Sequence, residues 1–137
     1  MTFKHAMAAF DDLFHSKTVQ VLQTLMHNEM VVIIALSLEL KSQGAERVLL
    51  DRVYKKANYV FFTQKMIGFT SSIFREIVKR LQAFGLVNLQ IENSKITDNV
   101  FLQLNVFDDE LVSGFIDKQE ALKIAANYEH LNEAFQN

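Results

Sequence analysis

The sequence contains no cysteine, no proline and no tryptophan, and only four glycines in 137 residues. Without cysteine there are no disulfides, no thiolate chemistry and no cysteine-ligated zinc or iron-sulfur site, and an intracellular setting fits. Without proline, low-complexity tracts or internal repeats, nothing marks a linker apart from a possible boundary near Ser16. None of Gly44, Gly68, Gly85 and Gly114 is followed by lysine, so the loop that cradles nucleotide phosphates is missing. Long apolar runs are missing too. The longest, Met30 to Leu36, falls far short of the roughly 20 residues that span a bilayer, and no signal-peptide pattern is visible. A soluble chain with no membrane partner, no cofactor and no metal is expected.

What is present is a composition that packs. Half the residues are hydrophobic and 11% are aromatic, mostly phenylalanine, enough for one domain with a real core. The formal net charge of -2 does not produce the positive field of a strong autonomous DNA binder. The distribution of charge says more. Residues 45–84 carry eight bases against three acids, whereas nine acids face three lysines from Glu92 onward. Such polarity predicts one polyanion-facing side and one side turned elsewhere.

Hydrophobic periodicity orders the elements. Phe3, Met7, Phe10 and Phe14 predict a first helix ending near His15, with Ser16 as a cap for the next. The stretch Met30–Leu40 is apolar nearly all round and reads as a central buried helix stopped by Gly44, with Met26 or Asn28 at its start. Leu50, Val53, Tyr54, Ala57 and Phe61 mark another helix, with Arg52, Lys55 and Lys56 on its wet side. Thr70, Ser71 and Ser72 are candidate caps for a helix whose stripe is Ile73, Phe74, Ile77, Val78, Leu81 and Phe84, closed by Gly85. The period then changes to two in Val87–Ile91 and again in Leu102–Val106, a hairpin around a polar loop. Asp108, Asp109 and Glu110 form the acidic first turn of a further helix, and Ala121 to Phe135 predict one last helix.

Three helices followed directly by a hairpin is the order of a winged helix-turn-helix. The fold class is therefore mainly α with a small β-hairpin. The stretches MAAFDDLFHSKTVQVLQTLMHNEMVVIIALSLEL, LLDRVYKKANYV and FREIVKRLQAFGLVNL resemble the C-terminal region of origin recognition complex subunits, most closely the fourth. The winged helices of the largest subunit and of archaeal initiators are close relatives, and LQLNVFDDELVSGF is similar to their strand and following acidic helix. The resemblance implies that residues 1–15 are the end of an AAA+ lid helix and that residues 16–137 are a winged helix with C-terminal helices. It also implies a C-terminal fragment of a larger initiator subunit, with the nucleotide site outside it. Partners would be double-stranded DNA and other subunits of the complex, the setting the nucleus, and the role replication initiation. Where those families place a capping serine before the central helix, this sequence has Met26.

The candidate DNA-binding residues are Ser72, Arg75, Lys79 and Gln82, spaced three, four and three apart, joined by Arg52, Lys55 and Lys56 of the preceding helix and by Lys95 in the hairpin loop. Arg75 would read guanine and Lys79 would take a phosphate. A solvated helix face with Glu76 and Arg80 paired at i, i+4 explains the same pattern, and Lys95 beside Glu92 and Asp98 also reads as a solvated loop residue. With about three phosphate contacts, affinity at physiological salt should be micromolar or poorer and mainly to the backbone. No catalytic grouping stands out. His5, His15, His27 and His130 share no ligand spacing, and LQLNVFDDE imitates a magnesium-binding strand without the phosphate loop it would serve. A free-standing winged-helix transcription regulator and a winged helix used only for protein contacts stay open beside the initiator role.

Overall fold

The computed structural model describes residues 17–93 and 98–136. They fall into two compact units, one spanning Met26–Asn105 and the other, among the described residues, 17–25 with 106–136. The expectations for the Phe3 to Phe14 stripe, the Ser16 cap and Lys95 lie outside the described residues.

In the first unit, α2 (His27–Gln43) is the central helix, with every residue from Glu29 to Leu38 buried. A helix this apolar cannot sit at a surface. Its start is Met26, and the serine absent there is replaced by Glu29, whose carboxylate accepts the Met26 N–H at 2.8 Å. Half of a capping box suffices because the glutamate reaches back from the third helical position. Gly44 stops the helix in a left-handed conformation, φ 58°, as a glycine at that position is suited to do.

The chain then makes a short strand that periodicity does not predict, β1 (Arg47–Leu49), which runs without an intervening residue into α3 (Leu50–Thr63). Next come α4 (Ser71–Ala83), β2 (Val87–Asn93) and β3 (Asp98–Leu104). The expected two-stranded hairpin is thus part of a three-stranded antiparallel sheet in the order β1-β3-β2. Leu102 of the middle strand faces Val48 on one side and Leu89 on the other. Val48 and Leu102 are buried, so strand pairing and core formation coincide here.

The link between α3 and α4 is built from aromatics. Phe69 stacks on Phe74 at 5.7 Å between centroids and meets Phe61 edge-on at 5.0 Å. Its backbone is held at both ends, the N–H by Asn58 Oδ1 at 3.0 Å and the carbonyl by the Tyr54 hydroxyl at 3.1 Å. Just before it, α3 ends with Lys65 in the left-handed region at φ 59°. The Met66 N–H donates to the Phe61 carbonyl and the Lys65 N–H to the Phe62 carbonyl, the pattern usually closed by glycine. A side chain at that φ costs roughly 1–2 kcal/mol.

In the second unit, a helix over 17–23 (α1) accompanies α5 (Asp108–Phe115), α6 (Gln119–Ala125) and α7 (Glu129–Gln136). The single last helix expected from Ala121 to Phe135 is broken into two, with residues 126–128 between them. The apolar spacing continues through the break, since Ala121, Ile124, Ala125, Leu131 and Phe135 are all buried, which is why periodicity alone missed it. The acidic start of α5 is as expected, and buried Glu110 takes the Phe107 N–H at 2.9 Å. It repeats the device that starts α2. Gly114 lies against Leu22, where a methyl group would come within 2.5 Å of the Leu22 side chain.

Candidate nucleic-acid interface

The second helix of the helix-turn-helix pair, α4, begins at Thr70, whose hydroxyl accepts the Ile73 N–H at 3.3 Å. Phe74, Ile77, Val78 and Leu81 are its buried face. Ile73 and Phe84, expected in the same stripe, are 46% and 49% exposed. They lie on the flank of the helix, where spacing alone cannot separate the edge of a buried stripe from its centre.

On the opposite flank, Ser72, Arg75, Lys79 and Gln82 are all exposed and fall within about 80° of arc at 3.6 residues per turn. No ion pair engages Arg75 or Lys79 among the described residues, leaving both cations available to an anionic partner. Their backbone is anchored by the buried face of the same helix, so the strip is presented by a rigid element.

Arg80 is placed elsewhere. It pairs not with Glu76, the expected i, i+4 partner, but with buried Glu29 at the start of α2, Nε to Oε2 3.5 Å. A groove on that side is lined by Met26, Asn28, Glu29, Ile73, Glu76 and Lys79. Arg80 lines it too, so two cations and two carboxylates balance there and the groove carries no net positive charge to seat a phosphate.

The basic residues of α3 do not join the α4 strip. Tyr54 marks the side of α3 that meets α4, its ring 5.3 Å from that of Phe74, and Arg52 and Lys56 each stand about 160° around the helix from it. Lys56 lies over the Tyr59 ring at 5.4 Å, and Lys55 pairs with Asp51 at 2.9 Å. The eight candidates thus include one coherent group of four, found by helical spacing, and a second group, Arg52, Lys55 and Lys56, on a different face. Lys95, the eighth, lies outside the described residues.

A shallow hollow of about 290 Å³ opens where α3 and α4 begin, lined by Leu50, Asp51, Tyr54, Ser71, Arg75 and Asn99 among others. Asp51 sets its charge against an anion. Sequence reading also missed Arg47, which belongs to the same basic segment. Its guanidinium sits 4.3 Å from the Phe101 ring centroid and donates to Gln90 at 3.1 Å and Glu92 at 3.2 Å. That arginine is used to brace the sheet. Only the pairing of β1 with β3 brings it there, and nothing local in the sequence signals the pairing.

Among the described residues there is no group of three histidine, cysteine or acidic side chains able to hold a metal, and no helix is long and apolar enough to cross a membrane. No protein-family model and no curated protein matches the sequence. Solved structures do. The chain is similar to the ORC1 protein of Aeropyrum pernix, determined in complex with DNA, with a TM-score of 0.80 at 12% identity over 90% of this chain and 32% of that one. It is also similar to Drosophila ORC bound to DNA, with a TM-score of 0.64 at 19% identity over 84% of this chain and 29% of that one. This chain therefore spans about a third of the length of the chains it resembles. At these identities the likeness shows the fold, a mainly helical winged-helix arrangement with a small antiparallel sheet.

Proposed function

We propose that this chain is a DNA-facing and subunit-interaction module of the origin recognition machinery, acting in replication initiation and most like the fourth subunit of the eukaryotic complex. The observation that carries the DNA contact is the exposed strip of Ser72, Arg75, Lys79 and Gln82 on α4, the helix that winged helices use in the major groove. The residue resemblance and the likeness to structures determined with DNA support the same reading. In this proposal residues 1–15 are the end of an AAA+ lid helix, residues 16–137 the winged helix with its C-terminal helices, and the setting is the nucleus. No reaction is assigned to it.

Magnitude keeps the role modest. Two cations with no ion-pair partner among the described residues and two uncharged polar groups supply phosphate contacts and at most one good base contact, so affinity in isolation should be micromolar or poorer. Strength would come from being held beside other DNA contacts in an assembly.

The test is fluorescence anisotropy of the chain with a labelled duplex of about 20 base pairs over a range of salt. Weak binding with a log-log salt slope no steeper than about -2 is expected, and Arg75→Ala with Lys79→Ala should remove most of that slope. An unchanged slope removes α4 from the DNA surface. Nanomolar, sequence-dependent binding would instead describe a free-standing regulator.

A further inference from the structure

The end of α3 and the turn after it carry a concentration of exposed apolar side chains that the α4 strip does not explain. Phe62 is 78% exposed and Ile67 95%, and Tyr59 and Met66 are exposed beside them. Lys55, Tyr59 and Phe62 follow one another at steps of four and three along the outer face of α3, and Lys56 covers the Tyr59 ring. Lys65, exposed and in the left-handed turn, lies between Phe62 and Met66 in the sequence. A lone surface apolar residue needs no explanation, but four at one corner, rimmed by three lysines, mark an interaction site.

We infer that this corner docks an acidic helix of a partner protein, with an apolar face seated on Tyr59, Phe62, Met66 and Ile67 and carboxylates met by Lys55, Lys56 and Lys65. The inference deepens the subunit-interaction half of the proposed function and rests on it, but uses none of the residues assigned to DNA. Two features select this occupant. Three lysines against the single acid Asp51 on α3 complement acidic side chains. Duplex DNA, which is also anionic, would leave Phe62 and Ile67 against a charged, hydrated backbone, whereas protein contacts bury aromatic and aliphatic anchors under a polar rim.

The backbone adds a third argument. Lys65 holds a conformation that glycine adopts without strain, at a position where these helix ends usually have glycine. Strain of this kind gathers at functional sites. A lysine there supplies a cation beside the exposed apolar side chains, and its replacement separates stability from binding.

The probe is a synthetic acidic amphipathic helix of about 18 residues, with leucine at i, i+3, i+4 and i+7 and glutamate or alanine elsewhere, titrated into the isotope-labelled chain. Amide shifts should move first at 59–67 and leave the α4 strip in place. A scrambled peptide of the same composition and a lysine-for-glutamate counterpart should bind at least roughly tenfold more weakly. Phe62→Ser and Ile67→Ser, both at exposed positions, should each cost roughly fivefold or more in affinity with folding unchanged. Lys65→Gly should raise the melting temperature by roughly 2–6 °C while weakening peptide binding. Shifts centred elsewhere, equal binding of the scrambled peptide, or displacement of the peptide from this corner by duplex DNA would overturn the inference. Because Arg75 and Lys79 are untouched, loss of DNA binding in their variants would leave it standing.

Discussion

Glu29 lies 3.5 Å from Arg80 with one carboxylate oxygen and accepts the Met26 N–H at 2.8 Å with the other, so a side chain only 4% exposed both starts α2 and grips the flank of α4. Replacing it with alanine removes the cap and leaves the half-exposed arginine without its partner. Glu29→Ala should cost about 1–3 kcal/mol, whereas Glu29→Gln, which keeps an acceptor for the cap, should cost less. Urea midpoints at constant m-value measure both. Equal losses would mean that the ion pair, not the cap, dominates.

The two basic groups give opposite expectations for DNA. Arg52→Ala with Lys56→Ala should leave duplex affinity within roughly twofold, although it removes as much charge as Arg75→Ala with Lys79→Ala, which should weaken binding strongly. The difference follows from the 160° that separates Arg52 and Lys56 from the Tyr54 side of α3. Anisotropy titrations at one low salt concentration compare the pairs, and indistinguishable affinities would mean that net charge alone governs binding.

Asn58 and Tyr54 hold the turn before α4 through the Phe69 backbone. Asn58→Ala leaves a partly buried N–H without its acceptor and should cost about 1–3 kcal/mol; Tyr54→Phe should cost about 1 kcal/mol. Gly68→Ala should destabilise through the same contact, since its methyl group would overlap Asn58 Oδ1. A Gly68→Ala protein as stable as the parent would show that the turn can shift away.

At Gly114 two effects oppose each other. Alanine is better than glycine inside a helix by about 1 kcal/mol, but its methyl group would press on Leu22 at 2.5 Å, and overpacking a core costs about 1–3 kcal/mol. Gly114→Ala should therefore lower the melting temperature. Leu22→Ala, at a fully buried position, should itself cost about 2–5 kcal/mol, but the double variant should lose less than the sum of the two single losses, a coupling that calorimetry on all three variants would detect.

The fold was legible wherever one helix or strand carried its own repeat. Phe74, Ile77, Val78 and Leu81 announce the buried face of α4, and the α2 run announces its burial. Non-local features were not legible. The three residues of β1 are too few to show a period, and their meaning lies in pairing with residues more than fifty positions away. The cap of α2 was hidden because the working group sits three residues inside the helix at Glu29, while Met26 offers nothing recognisable. Of the candidate site, spacing identified the four outward residues of α4 because one helix orders them. It could not tell that Arg52 and Lys56 face another way, since that depends on how two helices meet.

The direct passage from β1 into α3 makes the sheet and the helix-turn-helix one mechanical body. With no residue between Leu49 and Leu50, a pull on β3 is transmitted through the Val48 to Leu102 pairing to the first turn of α3, and from there through Tyr54 to the start of α4. As β1 is an edge strand, only its amide protons bonded to β3 should be protected from exchange with solvent, and a ligand that clamps the hairpin should slow their exchange and that of α4 together.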